Sequence, residues 1–326
     1  MKRWRTPVRI SLSLAVIGLA LLAGAKAGAI EDWFKLRNYT PEPSVVSLVN
    51  QDSMTAYAKH IFYINHPQLI TNVSQFRQAC PENEQTIVLG CYHPGETGID
   101  LYNVQDQRLA GVQQVTAAHE MLHGAYERLS AKDKQYVNGL LQDYFNNDLH
   151  DQRIIDTINA YKKSEPNDVV NEMHSVFGTE VVSLPTALEN YYKKYFTNRQ
   201  VVAGFAQSYQ AVFTDRTNQI NSYDSQLASL KQLITGEENA LSDQLNQINS
   251  QRSQLDQLRA DNQISQYNDA VPGFNRLVDA YNAGVVRLKD DIANYNSIVT
   301  ARNSIASDLA SLDSAIDTRL STQSTQ

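Results

Sequence analysis

Cysteine is scarce in this chain: 326 residues contain two. That number is too small for a disulfide scaffold or for a Cys-rich zinc site. A basic excess is missing as well, since the net charge is −7 and the clustered cations are Lys2, Arg3, Arg5 and Arg9. Without a basic face there is no electrostatic footprint for nucleic acid, so no nucleic-acid partner is expected. The hydrophobic share of 42% and the length suit a globular protein of two domains rather than a disordered tail. If the chain is exported, Cys80 and Cys91 should pair, and the crosslink would contribute about 3 kcal/mol in the chain-entropy account. The alternative is two inert buried thiols.

The basic first residues precede an apolar segment from Ile10 to Ala25. Charge followed by hydrophobe addresses a chain to a membrane with the basic end inside. Counted through Ile30 the stretch is long enough to span a bilayer. Ala25-Lys26-Ala27 and Ala27-Gly28-Ala29 also offer the small-x-small pattern that a signal peptidase reads. Residues 1–30 are therefore a membrane anchor or a signal peptide, and in either case the remainder lies outside the cytoplasm. Residues 31–51, with Pro41 and Pro43, read as a spacer. Order is expected from Asp52, with Asp52 or Ser53 capping a helix.

The chemistry concentrates in Thr116-Ala117-Ala118-His119-Glu120-Met121-Leu122-His123-Gly124, a His-Glu-x-x-His motif inside a run of helical period. Residues i and i+4 share one helix face, so His119 and His123 can aim two imidazoles at one zinc ion about 2.0–2.1 Å away. Glu120 then lies beside the metal, where it can serve as general base. His60, His66 and His93 read as surface or packing residues, with His93 a candidate for supporting the site.

Around this motif, the stretches Thr86–His93 and Ile99–Val104 predict a hairpin turning at Pro94–Gly98. Ser130 should cap a helix to about Asn147, Asp151 another, and Asp168 the helix bearing Asn171-Glu172-Met173-His174-Ser175. A catalytic zinc needs a third protein ligand. His119-Glu120-x-x-His123 followed by a separate helix with Asn171-Glu172-x-x-Ser175 resembles the gluzincin class of zinc metallopeptidases, over roughly residues 85–180. The resemblance implies that Glu172 is the third ligand, ahead of His174 and of Glu180. It also implies zinc-dependent hydrolysis of a peptide or protein substrate, bound as an added antiparallel strand along Ile99–Val104. Where members of that class have an Asp after the Ser, this chain has Val176, so another group is expected to orient His119.

After an aromatic helix from Thr186 to Phe196, the composition turns to Gln, Asn, Ser and Asp. Ile220, Leu227, Ile234, Leu241, Ile248 and Leu255 recur every seven residues, the signature of a coiled coil. Val271-Pro272-Gly273 breaks the pattern, and Phe274, Tyr281, Leu288, Tyr295, Leu309 and Ile316 resume it with Val278, Val285, Ile292 and Val299 alongside. The expected architecture is α+β and mostly helical: a zincin-like domain over 52–199 with a small sheet, then an antiparallel coiled-coil hairpin over 200–326. The expected function is a membrane-associated, extracytoplasmic zinc peptidase. The alternative is a non-catalytic envelope scaffold, in which the hairpin binds an envelope protein partner and the zinc is structural or vestigial.

Overall fold

The computed structural model describes residues 27–81, 87–95 and 98–319. It is mostly helical, with one small sheet and a long C-terminal helical pair. The chain divides into two compact units, one comprising Met1–Ala211 with Ser314–Gln326, the other Val212–Asp313.

The first unit opens with three helices, α1 (Ala27–Leu36), α2 (Pro43–Gln51) and α3 (Ala56–Ile64). The expected spacer over 31–51 is thus largely helical. Pro43 occupies the first turn of α2, where its missing N–H would have had no intrahelical partner anyway, and Val45, Leu48 and Val49 bury one face. Thr55, not Asp52 or Ser53, caps α3 by accepting the Ala58 N–H at 3.2 Å. Among the described residues no helix is long and apolar enough to cross a membrane. The apolar segment Ile10–Ala25 lies outside the described residues.

Asp52 instead ends α2, fully buried, with neither carboxylate oxygen hydrogen-bonded. Burial raises its pKa well above the usual carboxylate value. A raised folded-state pKa contributes stability below the unfolded value near 4, and that stability is lost as pH rises toward the folded value. Asp52→Asn, nearly isosteric and uncharged, should therefore raise Tm at pH 8 by about 2–4 °C per kcal/mol recovered, with little change at pH 4. Equal shifts at both pH values in thermal melts would refute the account.

The sheet has three strands in the order β1 (Gln68–Ile70), β3 (Ile99–Tyr102), β2 (Gly90–Tyr92). The expected hairpin forms, with Cys91 opposite Asp100, although Thr86, Glu96 and Thr97 lie outside the described residues. β1 adds a parallel strand on the other side of β3. Helix α4 (Val73–Ala79) ends at Cys80, which is disulfide-bonded to Cys91 and packs with Phe76 in a small satellite core. The chain's last described turn returns here: the Thr318 hydroxyl donates to the Val88 carbonyl at 2.8 Å, and the Thr318 carbonyl accepts from Arg77.

Five helices complete the body: α5 (Val112–Glu127), α6 (Ala131–Asn147), α7 (Gln152–Ser164), α8 (Val169–Glu180) and α9 (Thr186–Tyr192). Ser130 and Asp151 cap α6 and α7 through their side chains, as expected, whereas Asp168 begins α8 without a side-chain cap bond. The central packing is α5 on α8. A Cβ on Gly178 would lie 2.5 Å from Leu122 Cδ1 and 2.8 Å from Tyr192 Cε1, so only glycine admits this close approach.

The long pair is α10 (Arg199–Ala260) and α11 (Ile264–Ile316). Its turn falls at Asp261–Gln263, where Asn262 takes a left-handed φ of 57°, and not at Val271–Gly273. Pro272 lies inside α11, where the Asn268 carbonyl it leaves without a helical N–H donor belongs to a solvent-exposed residue. The pair is antiparallel: Arg216 meets Asp308 at 2.7 Å and Asp224 meets Arg302 at 3.0 Å. In α10 the heptad positions are the shielded ones, as expected. In α11 Val278, Val285 and Val299 are half-buried as expected but Ile292 is 39% exposed, and Leu277, Gly284, Asp291 and Ile298, one position earlier in each heptad, are also shielded. The boundary also moves from 199 to 211. Val202 and Ala206 belong to the main core, and buried Arg199 donates to the carbonyl of Val181 at 2.6 Å and pairs with Glu189.

Candidate metal centre

Helix α5 delivers His119 and His123 to one cavity because four residues make about one turn and because Ala118, Met121 and Leu122, on the rest of its circumference, are fully buried. Helix α8 delivers Glu172 from its first turn. His119 Nε2 lies 3.6 Å from Glu172 Oε2, and His123 Nε2 lies 3.4 Å from Glu172 Oε1. Donor atoms of the three residues all fall within 4.8 Å of one another. Tetrahedral ligands about 2.0–2.1 Å from zinc stand roughly 3.3–3.4 Å apart, so the spacing fits such an ion. Glu172 is 5% exposed and its Oε2 is buried without a hydrogen-bond donor. A buried carboxylate oxygen that no protein group satisfies is a position for a cation.

The electrostatics agree. Burial alone would depress the pKa of His119, yet contact with Glu172 and the charges of Glu120, Glu172 and Glu180 push it up to about 9. A field that holds a proton there also attracts a metal ion. Burial would raise Glu172, but His123 and His119 hold it below the usual value.

The other candidates are placed elsewhere. His174 is fully buried and points away from the cluster, with Nε2 2.9 Å from the Tyr191 hydroxyl. Burial pushes its pKa down to about 3, so it is a neutral packing group among Tyr126, Tyr191, Tyr192 and Tyr195. Glu180 is held by Arg153 at 2.6 Å and Gln210 at 3.0 Å, outside the cluster. It lines the same cavity two turns beyond Glu172, and its charge acts on His119. His60 and His66 bind Asp32 and the Lys35 carbonyl, and His93 binds Asp100 at 3.1 Å.

The cavity, about 450 Å³, is walled by α5, α7, α8 and the strand segment Ile87–Tyr92. Glu120 is 6% exposed and lies against that strand, since a Cβ on Gly90 would sit 2.8 Å from both its Cγ and its Oε1. Tyr161 of α7 lines the cavity and hydrogen-bonds Glu172. Nothing in its sequence context marked it, because the contact joins separate helices. Glu165 and Asp168 crowd Glu172 from the other side, and the Asp168 pKa is raised by burial first. β3, expected to receive substrate, is the central strand and has both edges paired. Among the described residues β2 and β1 are the edge strands, and it is β2 that lines the cavity.

No protein-family model matches this chain, and no curated protein or solved structure is significantly similar to it.

Proposed function

We propose that the chain is a zinc-dependent metallopeptidase of gluzincin type, with a zincin-like first unit acting outside the cytoplasm. The observation that carries this reading is the buried Glu172 carboxylate facing both histidines of the His-Glu-x-x-His helix, with its Oε2 left without a hydrogen bond among the described residues. His119, His123 and Glu172 would hold the ion. When bound, zinc supplies Lewis-acid polarisation of the scissile carbonyl and acidification of water at neutral pH. Glu120 accepts the proton of the attacking water and returns it to the leaving amine. A peptide lying on the open edge of β2 as an added antiparallel strand would bring its carbonyl to Glu120.

The test is turnover of a broad peptide library by the purified full-length protein, with new termini mapped by mass spectrometry. Activity that a chelator abolishes and one equivalent of zinc restores is the expected result. A folded, zinc-loaded protein that cleaves nothing would favour the non-catalytic scaffold.

Gly90 supplies a finer check. In Gly90→Ala the new methyl would meet Thr116 Cγ2 at 2.6 Å as well as Glu120, so the carboxylate must shift. A displacement near 1 Å costs about 10²-fold in rate. We expect kcat to fall on that order with zinc content unchanged.

A further inference from the structure

Helix α1 turns one charge inward and three large apolar residues outward, although Glu31 and Arg37 remain exposed as on an ordinary surface helix. Asp32 faces inward, 6% exposed, and accepts two hydrogen bonds from Arg128, at 3.1 and 2.7 Å, while His60 Nε2 lies 2.8 Å away. Ile30, Trp33 and Phe34 face outward and are 48%, 60% and 54% exposed. The two rings meet edge-on with centroids 5.0 Å apart, and the Arg37 guanidinium lies 5.9 Å from the Trp33 ring and 5.0 Å from the Phe34 ring. A surface helix normally buries its apolar residues and exposes its charges. Here the charge is buried in a bidentate ion pair and the aromatics are presented to the outside.

What precedes α1 says what covers that face. The apolar segment Ile10–Ala25, led by four cations, ends a few residues before Ile30. Four residues separate Ala25 from Ile30 in sequence, so a chain anchored through Ile10–Ala25 keeps Ile30–Phe34 beside the interfacial layer at the edge of the hydrocarbon core. Tryptophan concentrates at that depth, and arginine extends its charge to head groups while its stem stays apolar. We infer that α1 is an interfacial helix lying on a lipid bilayer, with Trp33 and Phe34 inserted and Arg37 among the head groups. The Asp32–Arg128 pair then has a second role: Arg128 is the C-cap of α5, so the pair ties the lipid-bound helix to the end of the helix that carries His119 and His123. This inference rests on residues separate from the metal cluster and holds whether or not the chain is a peptidase.

Trp33 reports on it directly. The chain has two tryptophans, so Trp4→Phe leaves Trp33 as the sole emitter. The full-length variant would be reconstituted into nanodiscs of phosphatidylcholine and phosphatidylglycerol. We expect blue-shifted emission, strong quenching by lipids brominated near the carbonyl end of the acyl chain, and protection from aqueous iodide. Iodide quenching without bromolipid quenching would overturn the inference, as would failure to enter the bilayer. Protection from both quenchers would overturn it too, assigning the aromatic face to a protein partner or a second copy.

Discussion

Glu172→Ala is expected to strip the metal from the protein while His174→Ala retains it. Among the described residues Glu172 is the carboxylate grouped with both His119 and His123, and the two imidazoles alone leave a site with too few ligands. Zinc affinity should fall by more than about 10²-fold, since even the outer partners of a ligand are worth 10–100-fold. His174→Ala removes a buried imidazole bonded to Tyr191 and leaves that hydroxyl with Tyr195 as its one partner among the described residues. That change should cost about 1–3 kcal/mol of stability without touching the metal. Zinc content after equilibrium dialysis, with circular dichroism to equalise folding, separates the two. Stoichiometric zinc in the Glu172→Ala protein would remove both the ligand assignment and the gluzincin reading.

Glu120→Gln should be the most damaging change to turnover that leaves the molecule otherwise intact. Glutamine fills the same space against Gly90 but cannot accept a proton, and a positioned general base contributes about 10²–10⁴-fold. Zinc stoichiometry and melting temperature are expected to stay near those of the parent. A variant that cleaves peptide as fast as the parent would mean that Glu120 is a wall residue and that another group moves the proton.

The parts legible in the sequence are those whose physics is local. His119 and His123 are spaced by one helical turn, Ser130 and Asp151 sit at side-chain caps, and Ile220 to Leu255 repeat every seven residues; each signal is complete within a short window. The choice between Glu172 and His174 was different. They point roughly 200° apart on a helix, and nothing in the window says which side faces the cavity. What separates them is the tyrosine cluster around His174, formed with residues from α5 and α9 and the turn at Tyr195. β1 escaped notice because three residues carry no period and its partner is distant in sequence. Proline breaks the reading in two opposite settings: Pro43 opens a helix inside the expected spacer, and Pro272 is tolerated inside α11 while the polar residues Asp261–Gln263 make the turn.

The return of Thr318 to the Arg77–Val88 region makes the helical pair an insertion, since the chain leaves the first unit after Ala211 and rejoins it at Ser314. Cutting at residue 200 would therefore remove Val202 and Ala206 from the main core along with the arm, whereas replacing 212–313 by a short linker would spare them. An insertion rooted at both ends also has a quantised length. At 1.5 Å per residue the arm reaches about 70 Å, and because its seam repeats every seven residues it can be lengthened or shortened only by matched heptads in both helices, about 10 Å at a time.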